Sequence, residues 1–197
     1  MGKILFFDTE TTGTIPRGVY DPFIQTSAFP RIVQISWSVD GKEGDFIVRP
    51  DGFTIPDEAA AVHGITTDRA LAEGVPYKTA FLQFWNDVKS ADALCAHNAG
   101  FDMPVIIAEY VRISNAQRAK GFANYLHTMP LFDTMKERAI IDFVGARFPN
   151  GNPGKFPRLE ELYAKLFNGE AFPAHNSMED VRALVKCFFE CRKLKLI

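Results

Sequence analysis

The chain has 197 residues, 47% of them hydrophobic and 23% charged, with a formal net charge of −2; these are the proportions of a globular protein able to bury a core of useful size. A pI near 6.1 argues against a general nucleic-acid coat protein, which carries a strong basic excess, but not against an enzyme that grips one chain end briefly. No apolar run is long enough to cross a bilayer, and Ile4 to Phe7 is too short for a signal-peptide core, so a cytoplasmic protein with no membrane partner is expected.

Lys3 to Glu10 reads as a central strand, because Ile4, Leu5, Phe6 and Phe7 make both of its faces apolar. Thr14 to Pro30 reads as a loop. Arg31 to Val39 alternates, with Val33, Ile35, Trp37 and Val39 on one face and Gln34, Ser36 and Ser38 on the other. Asp40-Gly41 turns the chain into a returning strand, Asp45 to Arg49.

Helix and strand then alternate. Tyr77 to Ser90 carries Phe81, Phe84, Trp85 and Val88 at helical spacing. Ala93 to His97 is a short buried strand, Phe101 to Ile113 a helix, Thr128 to Phe132 a weak strand, and Thr134 to Val144 a helix. Phe148 to Pro157 is a Gly/Pro/Asn-rich loop, followed by a helix from Arg158 to Phe167 that Gly169 stops. The last helix, about Met178 to Leu194, has a stripe of Val181, Leu184, Val185, Phe188 and Phe189 and a basic final turn. This order predicts one domain, 1–197, of the α/β class: a mixed sheet with antiparallel strands first, flanked by helices. Eighteen Phe residues predict an aromatic core. Cys95, Cys187 and Cys191 fit neither a disulfide framework nor a zinc site, and the last two, four apart in a helix, are expected to pack.

Asp8 and Glu10 end the first strand on the same face, at the sheet edge where α/β proteins bind ligands. Adjacent carboxylates repel unless a cation, a shared proton or a donor lies between them. Oxygen ligands without histidine or thiolate neighbours suit Mg²⁺ or Mn²⁺. Taken alone, the pair is also what a solvated strand end looks like. Two further segments resemble each other: "HNAGFD", His97 to Asp102, and "HNSMED", His175 to Asp180, each bringing an Asp to the start of a helix. Alone, Asp102 is a first-turn acid favoured by the helix dipole, and Ser177 to Asp180 fits a capping pattern.

Together, "FDTETTG", "HNAGFD" and "HNSMED", with "RIVQIS", "VHGIT" and "LFDT…RLEELY" between them, resemble the DEDD exonuclease superfamily in its histidine subtype, which includes the proofreading epsilon subunits of bacterial DNA polymerase III and ribonuclease T. The resemblance spans Lys3 to about Leu194. It implies a ribonuclease H-like fold with a five-stranded sheet, and a 3′→5′ exonuclease that releases nucleoside 5′-monophosphates from single-stranded or frayed 3′ ends, DNA favoured. It also implies two divalent cations, Mg²⁺ or Mn²⁺. Asp8 would bridge both, Glu10 and Asp180 would complete the first, Asp102 would serve the second, and His175 would be the general base. Association with a polymerase or a second copy is compatible with it.

The chemistry asks for such a set. Attack on a phosphodiester brings an anionic nucleophile to an anionic group, and two cations about 3.5–4 Å apart stabilise both entering and leaving oxygens. Several carboxylates must hold that charge. The attacking water needs a base, and histidine, with an unperturbed pKa of about 6.5, suits it. Thr11, Thr12 and Gly13, through their amides, and His63, Asn98 and Phe101 are the expected contacts to the terminal nucleotide, although the first three are also a strand-ending turn, His63 to Thr66 ("HGIT") also a helix-stopping turn, and Phe101 also suits the core. His97 reads as a satisfied strand-end histidine and Asp133 as a helix cap. The Thr14–Pro30 segment is longer than in relatives. Its Arg17, Tyr20, Phe23 and Phe29 suit bases and phosphates, and equally a cover for the core or a partner surface. An RNA-trimming enzyme, a haloacid-dehalogenase-like phosphatase and an inactive binding module are the competing readings.

Overall fold

A computed structural model describes residues 2–197. In chain order they form β1 (Ile4–Thr11), a 3₁₀ turn (Thr26–Ala28), β2 (Ile32–Val39), β3 (Lys42–Ile47), α1 (Asp57–His63), α2 (Thr67–Glu73), α3 (Tyr77–Val88), β4 (Ala93–Ala96), α4 (Ala99–Ile113), α5 (Ala116–Thr128), β5 (Leu131–Asp133), α6 (Arg138–Val144), α7 (Leu159–Leu166) and α8 (Ser177–Lys193). The five strands lie in the order β3-β2-β1-β4-β5. The β3-β2-β1 half is antiparallel, and β4 and β5 add in parallel. Five strands, three antiparallel and then two parallel, are what the sequence predicts, with β1 at the centre.

The alternation of β1 divides the core. Leu5 and Phe7 face α3, α4 and α5, where Phe84 packs edge-on to both Phe7 and Trp37, centroids 6.0 and 5.4 Å apart. Ile4 and Phe6 face α7 and α8, with Phe6 5.3 Å from Phe188. Each such buried ring contributes about 1.5–3 kcal/mol. The aromatic core expected from eighteen Phe is present. All three cysteines are buried and free.

Several elements differ from expectation. Helices α1, α2 and α5 occupy stretches assigned no structure. The helix expected from Thr134 begins only at Arg138, because Thr134 to Glu137 is a turn held by Asp133, whose carboxylate accepts from Met135 N at 3.2 Å and whose carbonyl accepts from Lys136 N. Asp133 therefore caps that turn and not α6. On α8 the buried stripe is Met178, Val181, Leu184, Cys187, Phe188 and Cys191, while Phe189 is exposed.

The Thr14–Pro30 segment is folded onto the molecule. Phe29 is buried, and Ile15, Val19 and Phe23 pack against the main cluster. The Arg112 guanidinium donates to the carbonyls of Thr26 and Phe29, while Glu109, buried between Arg31 and Arg112, accepts from Arg31 Nε at 2.6 Å. Among the described residues no helix is long and apolar enough to cross a membrane.

Candidate active site

The parity that puts Ile4 and Phe6 on the α8 side puts Asp8 and Glu10 there too. Asp180 arrives from the first turn of α8, and the three carboxylates place ligand oxygens within 4.8 Å of one another. What seats α8 is the other face of β2. Gln34 and Ser36, polar but buried, accept from Ser177 N at 3.4 Å and meet Ser177 Oγ at 2.5 Å. Both also donate to Asp45 Oδ1, at 2.8 and 2.7 Å. The side chain of Asn176 caps α8 by accepting from Met178 N and Glu179 N. The capping pattern expected of Ser177 is thus supplied one residue earlier, leaving Asp180 to accept from His175 N at 3.1 Å.

Asp102 comes from α4, on the opposite side of β1. Its Oδ1 accepts from Thr9 N at 3.1 Å and Thr9 Oγ1 at 2.7 Å, which pins it over the residue between Asp8 and Glu10. It stands outside the 4.8 Å trio, yet its charge, after burial, is the foremost influence on Asp8. Burial first, then mutual repulsion, pushes Asp8 well above the usual carboxylate range and Glu10 up to about 8. Burial likewise lifts Asp102 to about 7 and Asp180 to about 6. Among the described residues no Lys or Arg pairs with any of the four. One buried and three half-buried acids without a Lys or Arg partner among the described residues either hold protons or meet a cation from outside. An all-oxygen set of this kind fits a hard divalent ion.

His175 sits at the mouth. Its backbone is left-handed, φ 68°, its side chain is 57% exposed, and Nε2 lies 3.8 Å from Glu160 Oε1. Asn98 has φ 81°, and its N–H donates to Asp133 Oδ1 at 2.9 Å. Such conformations cost a non-glycine residue about 1–3 kcal/mol and collect at functional sites. His97 is tied on both nitrogens, to Thr134 Oγ1 at 2.9 Å and the Pro157 carbonyl at 3.0 Å.

Of the remaining expected contacts, Thr12 has its amide engaged by the Arg31 carbonyl and its hydroxyl by Arg31 N, both at 2.9 Å. Thr11 Oγ1 donates to the Gly13 carbonyl at 2.6 Å. His63 is buried, with Nδ1 accepting from Ile65 N at 3.1 Å. Its Nε2 has no hydrogen-bond partner, next to the Thr11 backbone. Phe101 is half-buried against the main cluster. Sequence reasoning missed the positioning residues Thr9, Gln34, Ser36 and Glu160. The one signal was polar Gln34 and Ser36 in a strand between two helical layers.

A mixed five-stranded sheet with helices on both faces and an acidic cup at the carboxyl edge of its central strand defines an exonuclease domain of the ribonuclease H-like fold. The chain belongs to the exonuclease family: the RNase T/exonuclease profile matches residues 5–188. It is 35% identical over 143 residues to a DNA polymerase III subunit epsilon-like protein of Rhodobacter capsulatus, covering 72% of this chain and 18% of that one. It superposes on E. coli Exonuclease I in complex with a dA16 oligonucleotide with a TM-score of 0.70 at 22% identity, covering 100% of this chain and 42% of that chain. A zinc-bound form of the E. coli Exonuclease I complex with single-stranded DNA matches at a TM-score of 0.68 and 23% identity, again covering 100% of this chain and 42% of that one. The chain thus spans less than half the length of these relatives.

Proposed function

We propose that this chain is a metal-dependent 3′→5′ exonuclease that removes nucleoside 5′-monophosphates from single-stranded or frayed DNA ends. The observation that carries the reading is the convergence of Asp8, Glu10 and Asp180 within 4.8 Å, with Asp102 beside them and, among the described residues, no Lys or Arg paired with the group. Family membership and the DNA-bound relative support the substrate class.

Asp8, Glu10 and Asp180 would hold one divalent cation, and Asp8 with Asp102 a second. When bound, such ions supply charge stabilisation to the entering and leaving oxygens. The chain's own side chains do the rest. Asp180 holds the His175 backbone by its second oxygen, placing an exposed imidazole at the mouth to take a proton from the attacking water. His63, whose Nδ1 accepts a backbone N–H, is buried with its other nitrogen against the Thr11 backbone, so it braces the turn beneath the terminal nucleotide. Asn98, Phe101, Thr11 and Gly13 line the same edge as positioning contacts. With Thr12's amide engaged, that residue braces the turn. Association with a polymerase or a second copy is a proposal, the former supported by the epsilon-like relative's name.

Incubating the protein with 5′-labelled single-stranded DNA and RNA in Mg²⁺, Mn²⁺ or EDTA tests this. The expected result is a ladder shortening from the 3′ end, faster on DNA and abolished by EDTA. Phosphate release from small phosphomonoesters without a ladder, or binding without products, contradicts it.

A further inference from the structure

A cavity of 610 Å³ opens on the stripe of α4 that carries Gly100 and Met103, the two neighbours of the Phe101–Asp102 pair. Its size is that of a small-molecule site. Its outer wall is the Thr14–Pro30 segment, which contributes Tyr20 and Phe23, and its floor is completed by His127 and Lys136. The wall is built in advance. Gln25 Oε1 accepts from the backbones of Tyr20 and Asp21 at 2.9 and 3.1 Å, Phe23 packs on the core, and Arg112 ties the end of the segment down.

The lining is mostly carbon, yet its polar atoms are arranged for a specific ligand. The two lining carboxylates are occupied: Asp21 Oδ1 by Phe23 N at 2.7 Å and Ile24 N at 3.2 Å, Asp133 Oδ1 by Asn98 N and Met135 N. His127 Nδ1 donates to the Ala123 carbonyl at 2.7 Å, so Nε2 is the ring nitrogen left for a ligand. Lys136 is half-exposed and only loosely paired, 3.5 Å from Asp133 Oδ2. Its Nζ lies 2.6 Å from the position a Cβ on residue 100 would take, so the bare Gly100 leaves it room. Tyr20, 80% exposed, offers a whole ring face at the rim. A flat ring with polar edges, joined to a phosphate, matches these features: its faces lie on Tyr20 and the carbon lining, its N–H edge meets His127, and the phosphate meets Lys136.

We propose that this cavity is an upstream-strand subsite, which takes the base of one nucleotide on the 5′ side of the scissile one and places its phosphate at Lys136. The ligand class rests on the function proposed above. The site itself rests on the folded Thr14–Pro30 wall, pinned to the core through Phe23 and Arg112. A strand leaving the acidic cup past Phe101 reaches the cavity across a single turn of α4, and this continuity, with Lys136, favours nucleic acid over an apolar side chain of a protein partner.

The test walks a single abasic residue along a 5′-fluorescein-labelled oligothymidylate decamer, blocked at its 3′ end by a phosphorothioate linkage, and reads affinity by anisotropy in Mg²⁺. For the unaltered chain, loss of the base at one upstream position weakens binding about tenfold, within the range for one base–aromatic stack. In Tyr20→Ala, whose exposed ring is not needed for folding, that step falls below twofold at the same position only. Lys136→Gln weakens all decamers together and lowers the salt slope by about one. An unchanged abasic profile in Tyr20→Ala, or a flat one in the unaltered chain, overturns the subsite. A Tyr20-dependent profile without any 3′ ladder on unblocked DNA keeps the subsite and overturns the nuclease reading, and a ladder with a flat profile does the reverse.

Discussion

His97–Asp102 and His175–Asp180 share one pattern, His-Asn-x-x-x-Asp, at the start of a helix, and the molecule uses the same letters in opposite ways. In the first, the histidine is built in, both nitrogens hydrogen-bonded and its pKa lowered by burial. Asn98 takes the left-handed turn and caps nothing, and Asp102 is locked to Thr9. In the second, the histidine takes the left-handed turn and stands in solvent, Asn176 caps the helix, and Asp180 holds the histidine's backbone. The surroundings of a motif histidine's ring thus separate the two: the first is tied on both nitrogens and the second is exposed.

The largest expected contrast is kinetic. His175→Ala should lower kcat on single-stranded DNA by about 10²–10⁴-fold, the usual worth of a general base, with Kd for the oligonucleotide and Tm little changed. An equal loss of binding would remove His175 from the base role. His97→Ala should do the converse, costing about 1–3 kcal/mol by leaving Thr134 and the Pro157 carbonyl unpaired. At about 2–4 °C per kcal/mol for a chain of this size, thermal unfolding resolves it. Activity below the new Tm should survive.

The carboxyls of both segments share one response to pH. Burial lifts Asp180 to about 6 and Asp102 to about 7, and beside them Glu10 to about 8. All three lie above ordinary carboxyls, so the folded protein binds more protons than the unfolded chain in this range, and that stability is complete in acid and lost as pH rises through 6, 7 and 8. The Tm of EDTA-treated protein should accordingly fall from pH 5 to pH 9. Mg²⁺ or Mn²⁺ should restore more at pH 8 than at pH 5.5. A Tm that rises with pH in EDTA contradicts the arrangement. The smallest contrast is between the asparagines: Asn176→Ala should cost about 0.5–2 kcal/mol as a lost cap, whereas Asn98→Gly should cost less, because glycine takes the left-handed turn without strain.

Much of this was legible in the residues. Strand β2 and the helices α3, α4, α7 and α8 carry periodic apolar patterns strong enough to show, β1 and β4 show as short continuous apolar runs, and β5, at Leu131–Asp133, only weakly and begun too early at Thr128. Asp8, Glu10 and Asp180 come together, Asp102 is held on Thr9 and His175 on Asp180. Helices α1 and α2 did not show because each buries one residue, His63 or Ala70, too few to make a period. In α5, Ala119, Phe122, Ala123 and Leu126 are buried, but Gly121 and an otherwise polar sequence hide the stripe. The anchors Thr9, Gln34 and Ser36 were illegible for another reason. Their role exists only once the register of β1 and β2 brings α4 and α8 to the two sides of one strand end.

The central claim is that four carboxyls, Asp102 buried and Asp8, Glu10 and Asp180 half-buried, form a cup for divalent ions. Titrating Mn²⁺ calorimetrically in two buffers of different ionisation enthalpy tests it directly. The account predicts binding of two ions per chain with release of protons at pH 6–7, weakened in Asp180→Asn. Absence of binding at millimolar Mn²⁺, or binding with no proton release and no dependence on Asp180, would contradict it.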